Sequence, residues 1–140
     1  MAKPTSRAQL MDYLDAEQKN TVWSWCAVNH KEEKVYLSIW SDNDLTLEGD
    51  NSRGYIVQEP NWGLNGDGSP KAARKDHDEK LNLIFEKGYE AHGYFIEPKD
   101  TTTRPREIEH TKTSFIFSLE LKRLEDGRII GYPLKRIEIG

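Results

Sequence analysis

The chain has 140 residues, a mass of 16.2 kDa and a formal charge of −4, a size that suits one domain with one core, without disulfide or metal staples. Charged residues make up 31% and the hydrophobic set only 36%, which predicts a heavily charged surface around a modest core reinforced by aromatic side chains. No apolar run approaches the roughly 20 residues of a membrane-crossing helix, and the opening MAKPTSRAQLMDYLDAEQ lacks an apolar secretory segment; a soluble, cytoplasmic protein is expected.

Charge is unevenly spread. Residues 1–70 hold six Lys and Arg against eleven Asp and Glu, whereas residues 71–140 hold fourteen against thirteen. With a pI of about 5.6 the chain lacks the global basic character of many nucleic-acid binders, although a local basic face remains open to it. Cys26 is the sole cysteine, so an internal disulfide is excluded, and its apolar alternating surroundings predict a small buried hydrophobe.

In chain order, Ser6 followed by Gln9 forms a capping-box pattern, and Leu10, Tyr13 and Leu14 supply an apolar stripe, predicting a helix that ends near Gln18. TVWSWCAVN and KVYLSIWSD, rich in β-branched and aromatic residues and separated by HKEE, predict a hairpin with Asn29 opposite Lys34. In that register Trp25 faces Ser38 and Ala27 faces Tyr36. Trp23, Trp25, Tyr36 and Trp40 then share one face, while Val22, Cys26, Val28, Val35, Leu37 and Ile39 line the other. An acidic loop leads to a strand at YIVQE and to the Gly- and Pro-rich loop PNWGLNGDGSPKAARK, long enough to be functional. Asp76 with Glu79 forms a second capping pattern, predicting a helix from His77 to about His92 closed by Gly93. A strand at YFIEP, the loop KDTTTRPREIEH, and two long strands joined by EDG complete the chain. The expected class is α+β: a curved or barrel-like, mostly antiparallel sheet of about six strands with two packed helices.

The aromatic face of the first hairpin is the most distinctive feature. Such a face can pack beneath a helix, or it can offer flat π surfaces on which a flipped base stacks while Asn29, Ser38 or Asp42 reads its hydrogen-bonding edge. The strand pair VWSWCAVN and VYLSIWSD, the segment DEKLNLIFEKGYEAHGYF and the closing hairpin TKTSFIFSLELKRLEDGRIIGYPLKRIEI resemble the N-terminal reader modules of modification-dependent, HNH-type restriction endonucleases. More broadly the chain resembles the PUA superfamily, with its EVE and SRA-like modified-base readers. The resemblance implies a PUA-like sheet and a pocket for methylated or hydroxymethylated cytosine in DNA, walled by Trp23, Trp25, Tyr36, Trp40 and Asp42 and edged by the Trp62 loop. His30, His77, His92 and His110 show no HNH-like spacing, so any cleavage is expected from a separate nuclease domain or partner; residues 1–140 read as a single domain, either a whole protein or the N-terminal part of a larger one.

Phosphate-binding candidates are Lys71, Arg74 and Lys75 before the second helix and Arg104, Arg106 and Lys112 in the later loop, with Lys122, Arg123, Arg128, Lys135 and Arg136 around the last hairpin; the first set is the best placed, since SPKAARK follows a Gly-rich loop and precedes a helix N-terminus able to meet an anion. Interleaved acids equally suit a solvated charged surface. A second class of function is a small metal-dependent nuclease or hydrolase in which Glu120 holds the metal and Lys122 polarises water, with Asp100 as the upstream acid. Alternating charge on a strand's solvent side writes the same letters. A third is a protein-interaction domain using exposed aromatics. No cofactor or resident metal is expected for the reader: Asp42, Asp44 and Glu48 lack a calcium-loop pattern, and no phosphate-binding glycine loop or nucleophile elbow occurs.

Overall fold

The computed structural model describes residues 4–18, 25–42, 44–46, 53–98 and 108–139. Eight strands and two helices follow in the order α1 (Arg7–Leu14), β1 (Cys26–Asn29), β2 (Lys34–Trp40), β3 (Asp44–Thr46), β4 (Arg53–Gln58), α2 (Ala72–Lys87), β5 (Glu90–Pro98), β6 (Ile108–Thr111), β7 (Phe115–Arg123) and β8 (Ile129–Glu138). The class is α+β, and the ladder runs β1-β2-β5-β7-β8-β4-β3, with β6 added to β5. All pairs are antiparallel except β2 with β5. β2 and β4, with three strands between them in this order, still come into contact, so the sheet curls. It is nonetheless open: among the described residues no pairing joins β3 to β1, which corrects the barrel-like expectation.

Local chemistry explains the boundaries. Ser6 accepts a hydrogen bond from the Gln9 amide at 3.2 Å, and the Gln9 side chain returns to Thr5 rather than to Ser6. Asp15 then stops α1 in the left-handed conformation at φ 53°, four residues earlier than the sequence pattern suggests. The first hairpin has the expected register, Asn29 opposite Lys34 and Ala27 opposite Tyr36. Residues 19–24, including Val22 and Trp23, lie outside the described set.

The second helix is placed differently from expectation. It starts at Ala72, and Lys71 precedes it without a side-chain cap; Asp76 is an interior helical residue, fully buried. Gly88, at φ 78°, ends it, because a residue without Cβ takes that conformation at the least cost. The following EAHGYFIEP therefore alternates as β5, and His92 and Gly93 belong to a strand. Two further strands, β3 and β6, arise within stretches whose polar and turn residues read as loops.

Two apolar clusters lie on opposite faces of the sheet. Cys26, Val28, Val35, Leu37, Ile39, Ala91, Phe117 and Leu119 pack with Leu81 of α2. Ala27, Tyr36, Tyr94, Ile96 and Ile116 pack with Leu10 and Met11 of α1. Each large side chain so buried contributes roughly 1.5–3 kcal/mol relative to exposure. No helix among the described residues is long and apolar enough to cross a membrane.

Candidate functional site

On the α1 face, backbone register builds a compact aromatic patch. Trp25, immediately before β1, receives the Ser38 amide on its carbonyl at 3.1 Å and the Ser38 hydroxyl at 2.6 Å. Ser38 in turn lies beside Tyr94 in the parallel β2–β5 pair, while Tyr36 lies beside His92 and Trp40 beside Ile96. A small residue, Ser38, is thus neighboured by Trp25, Trp40, Tyr36 and Tyr94. The Trp25 and Trp40 rings stand 5.7 Å apart at 48°, and Tyr36 stacks on His92 at 5.5 Å and 34°.

Exposure divides the patch. Tyr36, Tyr94 and His92 are buried, whereas Trp25 and Trp40 are only half-buried and Asp42 is exposed. Burial pushes the Tyr94 hydroxyl's pKa up to about 12 and raises that of Tyr36, with Glu32 and Glu90 adding to the Tyr36 shift. His92 is lowered by burial and, secondarily, by Lys34. At neutral pH the buried part of this face consequently presents uncharged phenols and a neutral imidazole.

Among the described residues two buried polar atoms on this face, the Tyr94 hydroxyl and His92 Nδ1, have no hydrogen-bond partner. Ser38 and Arg7 lie close enough to bias Tyr94 ionisation without meeting hydrogen-bond geometry. Asn29, in contrast, is used internally: its Nδ2 donates to Leu14 O at 3.3 Å and to Glu32, and its Oδ1 accepts from the Glu32 amide at 2.9 Å.

Trp62 lies elsewhere. Its ring meets His77 of α2 edge-on, with centroids 5.3 Å apart, placing it on the face opposite Trp25 and Trp40. A polar network fixes this loop. Arg74 donates to the carbonyls of Trp62 at 2.6 Å and Pro60 at 3.1 Å and pairs with Asp78. Gln58 bridges Asp78 and His77 Nδ1, the latter at 2.6 Å. A Cβ on Gly63 would come within 2.8 Å of Arg74 Cβ, so this position has room only for glycine. His77 is buried and its pKa falls to about 4, desolvation outweighing the opposing pull of Asp78 and Asp76. Deeper still, Lys80 Nζ pairs with Asp76 at 2.8 Å, and the Cys26 thiol contacts the same carboxylate at 3.6 Å. Burial, with Asp76 beside it, drives the Cys26 pKa up, so the thiol stays protonated. These groups satisfy one another and hold α2 to β1 and to the Trp62 loop.

The basic candidates separate by face as well. Lys71 and Lys75 are exposed at the start of α2, and Arg74 is committed to the loop carbonyls. Lys112 follows β6, whose Thr111 pairs with Ile96, the neighbour of Trp40; it makes an exposed ion pair with Glu97 at 3.6 Å. Arg104 and Arg106 lie outside the described residues, as does Asp100. Arg128 pairs with Asp126 and Arg136 with Glu138, while Arg123 covers the Phe85 ring at 4.1 Å. Glu120 and Lys122 are exposed on β7, alternating with inward Leu119 and Leu121, as solvent-side charges do. Among the described residues no three His, Cys, Asp or Glu side chains converge as metal ligands would.

Tyr94 and His92 were not predicted by the hairpin pattern, because they reach the patch from a strand more than fifty positions later. The signal available was the alternation of His92, Tyr94 and Ile96 after Gly88. Compared with protein-family models, curated proteins and solved structures, the chain matches none of them.

Proposed function

We propose that this chain is a nucleic-acid-binding module that accepts a flipped base, a modified cytosine in DNA, against the Trp25–Trp40 pair. The carrying observation is the contrast in burial within one aromatic face: Tyr36 is sealed while the two tryptophans, 5.7 Å apart, are only partly buried. Flat, partly exposed indoles gain from stacking with any base. In this reading Trp25, Trp40 and Tyr36 line the pocket, with Trp23 as a further wall and Asp42 at its rim. The curled sheet with helices on its faces is compatible with a PUA-like fold. Trp62 belongs to a separately fastened loop and is not part of the pocket.

The phosphate backbone is then met by Lys112, which follows the Thr111–Ile96 pair beside Trp40, with Arg104 and Arg106 of the preceding segment as further candidates, rather than by Lys71 and Lys75 on the α2 face. Cleavage, if coupled to recognition, is the task of a nuclease domain or partner. The test is tryptophan fluorescence during titration with short duplexes, either unmodified or carrying 5-methylcytosine or 5-hydroxymethylcytosine. Modification-dependent quenching that disappears in Trp25→Ala, with the thermal transition retained, supports the reading; absence of binding to every duplex at low salt ends it.

A further inference from the structure

We propose that Tyr94, with His92 beside it on β5, reads the hydrogen-bonding edge of the uncharged planar group that enters between Trp25 and Trp40. This inference rests on the reader assignment and extends it to residues on another strand.

The path is laid out by register. Trp25, Ser38 and Tyr94 form one row across β1, β2 and β5, and Trp40 and Tyr36 occupy the neighbouring positions on the same face. Ser38 is the smallest member of this group, and it lies between the tilted tryptophans and Tyr94 in the row, near enough to the Tyr94 hydroxyl to influence its ionisation. Ser38 already spends its proton on the Trp25 carbonyl at 2.6 Å. Tyr94 does not: it is fully buried, and its oxygen is without a partner among the described residues. His92 Nδ1, two residues away and 5% exposed, also lacks a partner of full hydrogen-bond geometry, with the Glu90 backbone close to the ring.

Buried polar groups are nearly always paired, since an unpaired one retains its desolvation cost without compensation. Two on one face, beside the partly buried indoles, mark where an incoming group would complete the pairing. Their chemistry defines that group. A phenol that remains protonated offers a donor and can accept; a neutral imidazole presents Nδ1 as acceptor or donor according to its tautomer. Neither is charged at neutral pH, so the fit is to a neutral heterocycle carrying adjacent donor and acceptor atoms, such as the Watson–Crick edge of cytosine, rather than to a phosphate.

Tyr94→Phe removes only the hydroxyl. Affinity for a fluorescent duplex carrying 5-methylcytosine or 5-hydroxymethylcytosine is expected to fall roughly tenfold, the usual scale for one hydrogen bond, while the melting temperature stays level or rises because an unpaired buried oxygen has been deleted. A duplex carrying a non-polar isostere in place of the modified base should bind wild type and Tyr94→Phe alike. If wild type binds the modified duplex and Tyr94→Phe binds it equally well, the inference is overturned and the reader assignment stands. If the penalty persists against the isostere, Tyr94 acts through packing, which also overturns it. Should wild type bind no duplex, the reader assignment fails and takes this inference with it.

Discussion

The two faces of the sheet are built from the same strands yet solve different problems. Under the 16-residue α2, the aliphatic side chains of β1 and β2 are joined by a network in which Asp76, Lys80, Gln58, His77, Asp78 and Arg74 all find partners. Under the eight-residue α1, the aromatic side chains surround polar atoms without partners, and the tryptophans at the margin stay partly exposed. A helix as short as α1 has little stability of its own, and Leu10 and Met11 are its buried anchors. One face is therefore closed in hydrogen bonding as well as in packing, and the other is closed in packing alone. Such asymmetry is what stability on one side and recognition on the other would require.

The comparison can be broken most directly by equal truncations. Leu37→Ala, in the fully buried α2-face core, should cost about 4 kcal/mol in urea unfolding, near the upper part of the range for buried leucine. Leu10→Ala, equally buried under α1, should cost about 2 kcal/mol, because a short helix can shift to fill the void, and hydrogen exchange should quicken in α1 ahead of the strands. Equal costs would mean that α1 is as integral as α2.

Acid titration sharpens the same contrast. His77 has a pKa of about 4 in the fold against 6.5 when unperturbed, so the unfolded chain binds the extra proton between these values. Stability is fully present above about pH 6.5 and declines as pH falls toward 4, by about 3 kcal/mol in all. His92 adds in the same direction. His77→Gln should flatten most of that slope in denaturant midpoints measured across the window; an unchanged slope would assign it to other groups. Smaller still is the effect of Arg74→Ala, about 2 kcal/mol, for releasing the Trp62 and Pro60 carbonyls. Its signature should be faster exchange at residues 62–71 with the Trp25 side undisturbed.

Much of this architecture was legible from periodicity. The first hairpin's register and its two-faced pattern follow from the alternation of β-branched and aromatic residues around HKEE, and EDG reads correctly as a tight turn, closed by the Gly127 amide on the Leu124 carbonyl at 3.0 Å. The second helix was misplaced because Asp76 and Glu79 imitate a cap. Asp76 is used instead as a buried partner for Lys80, a tertiary choice that no local pattern announces, and the helix ends at Gly88 rather than at the expected Gly93. That shift hid β5, and with it the pairing of β2 to β5. The aromatic patch was therefore visible in half: its tryptophans and Tyr36 from one hairpin, but neither Tyr94 nor His92. Arg74 illustrates the converse, since a basic residue after a glycine-rich loop looks like an anion ligand until the loop's own carbonyls are seen to occupy it.

The parallel β2–β5 pair also has a consequence in time. It joins Tyr36 to His92 and Ser38 to Tyr94, whereas the hairpin contributing Trp25 and Trp40 closes through a local turn. Local closure is fast and distant closure is slow. During synthesis the ribosome must release β3, β4 and α2 before the hairpin can meet its parallel neighbour, so the early chain carries an uncovered strand edge bearing large indoles. A chain truncated before residue 90 would lack the strand that covers this edge of β2.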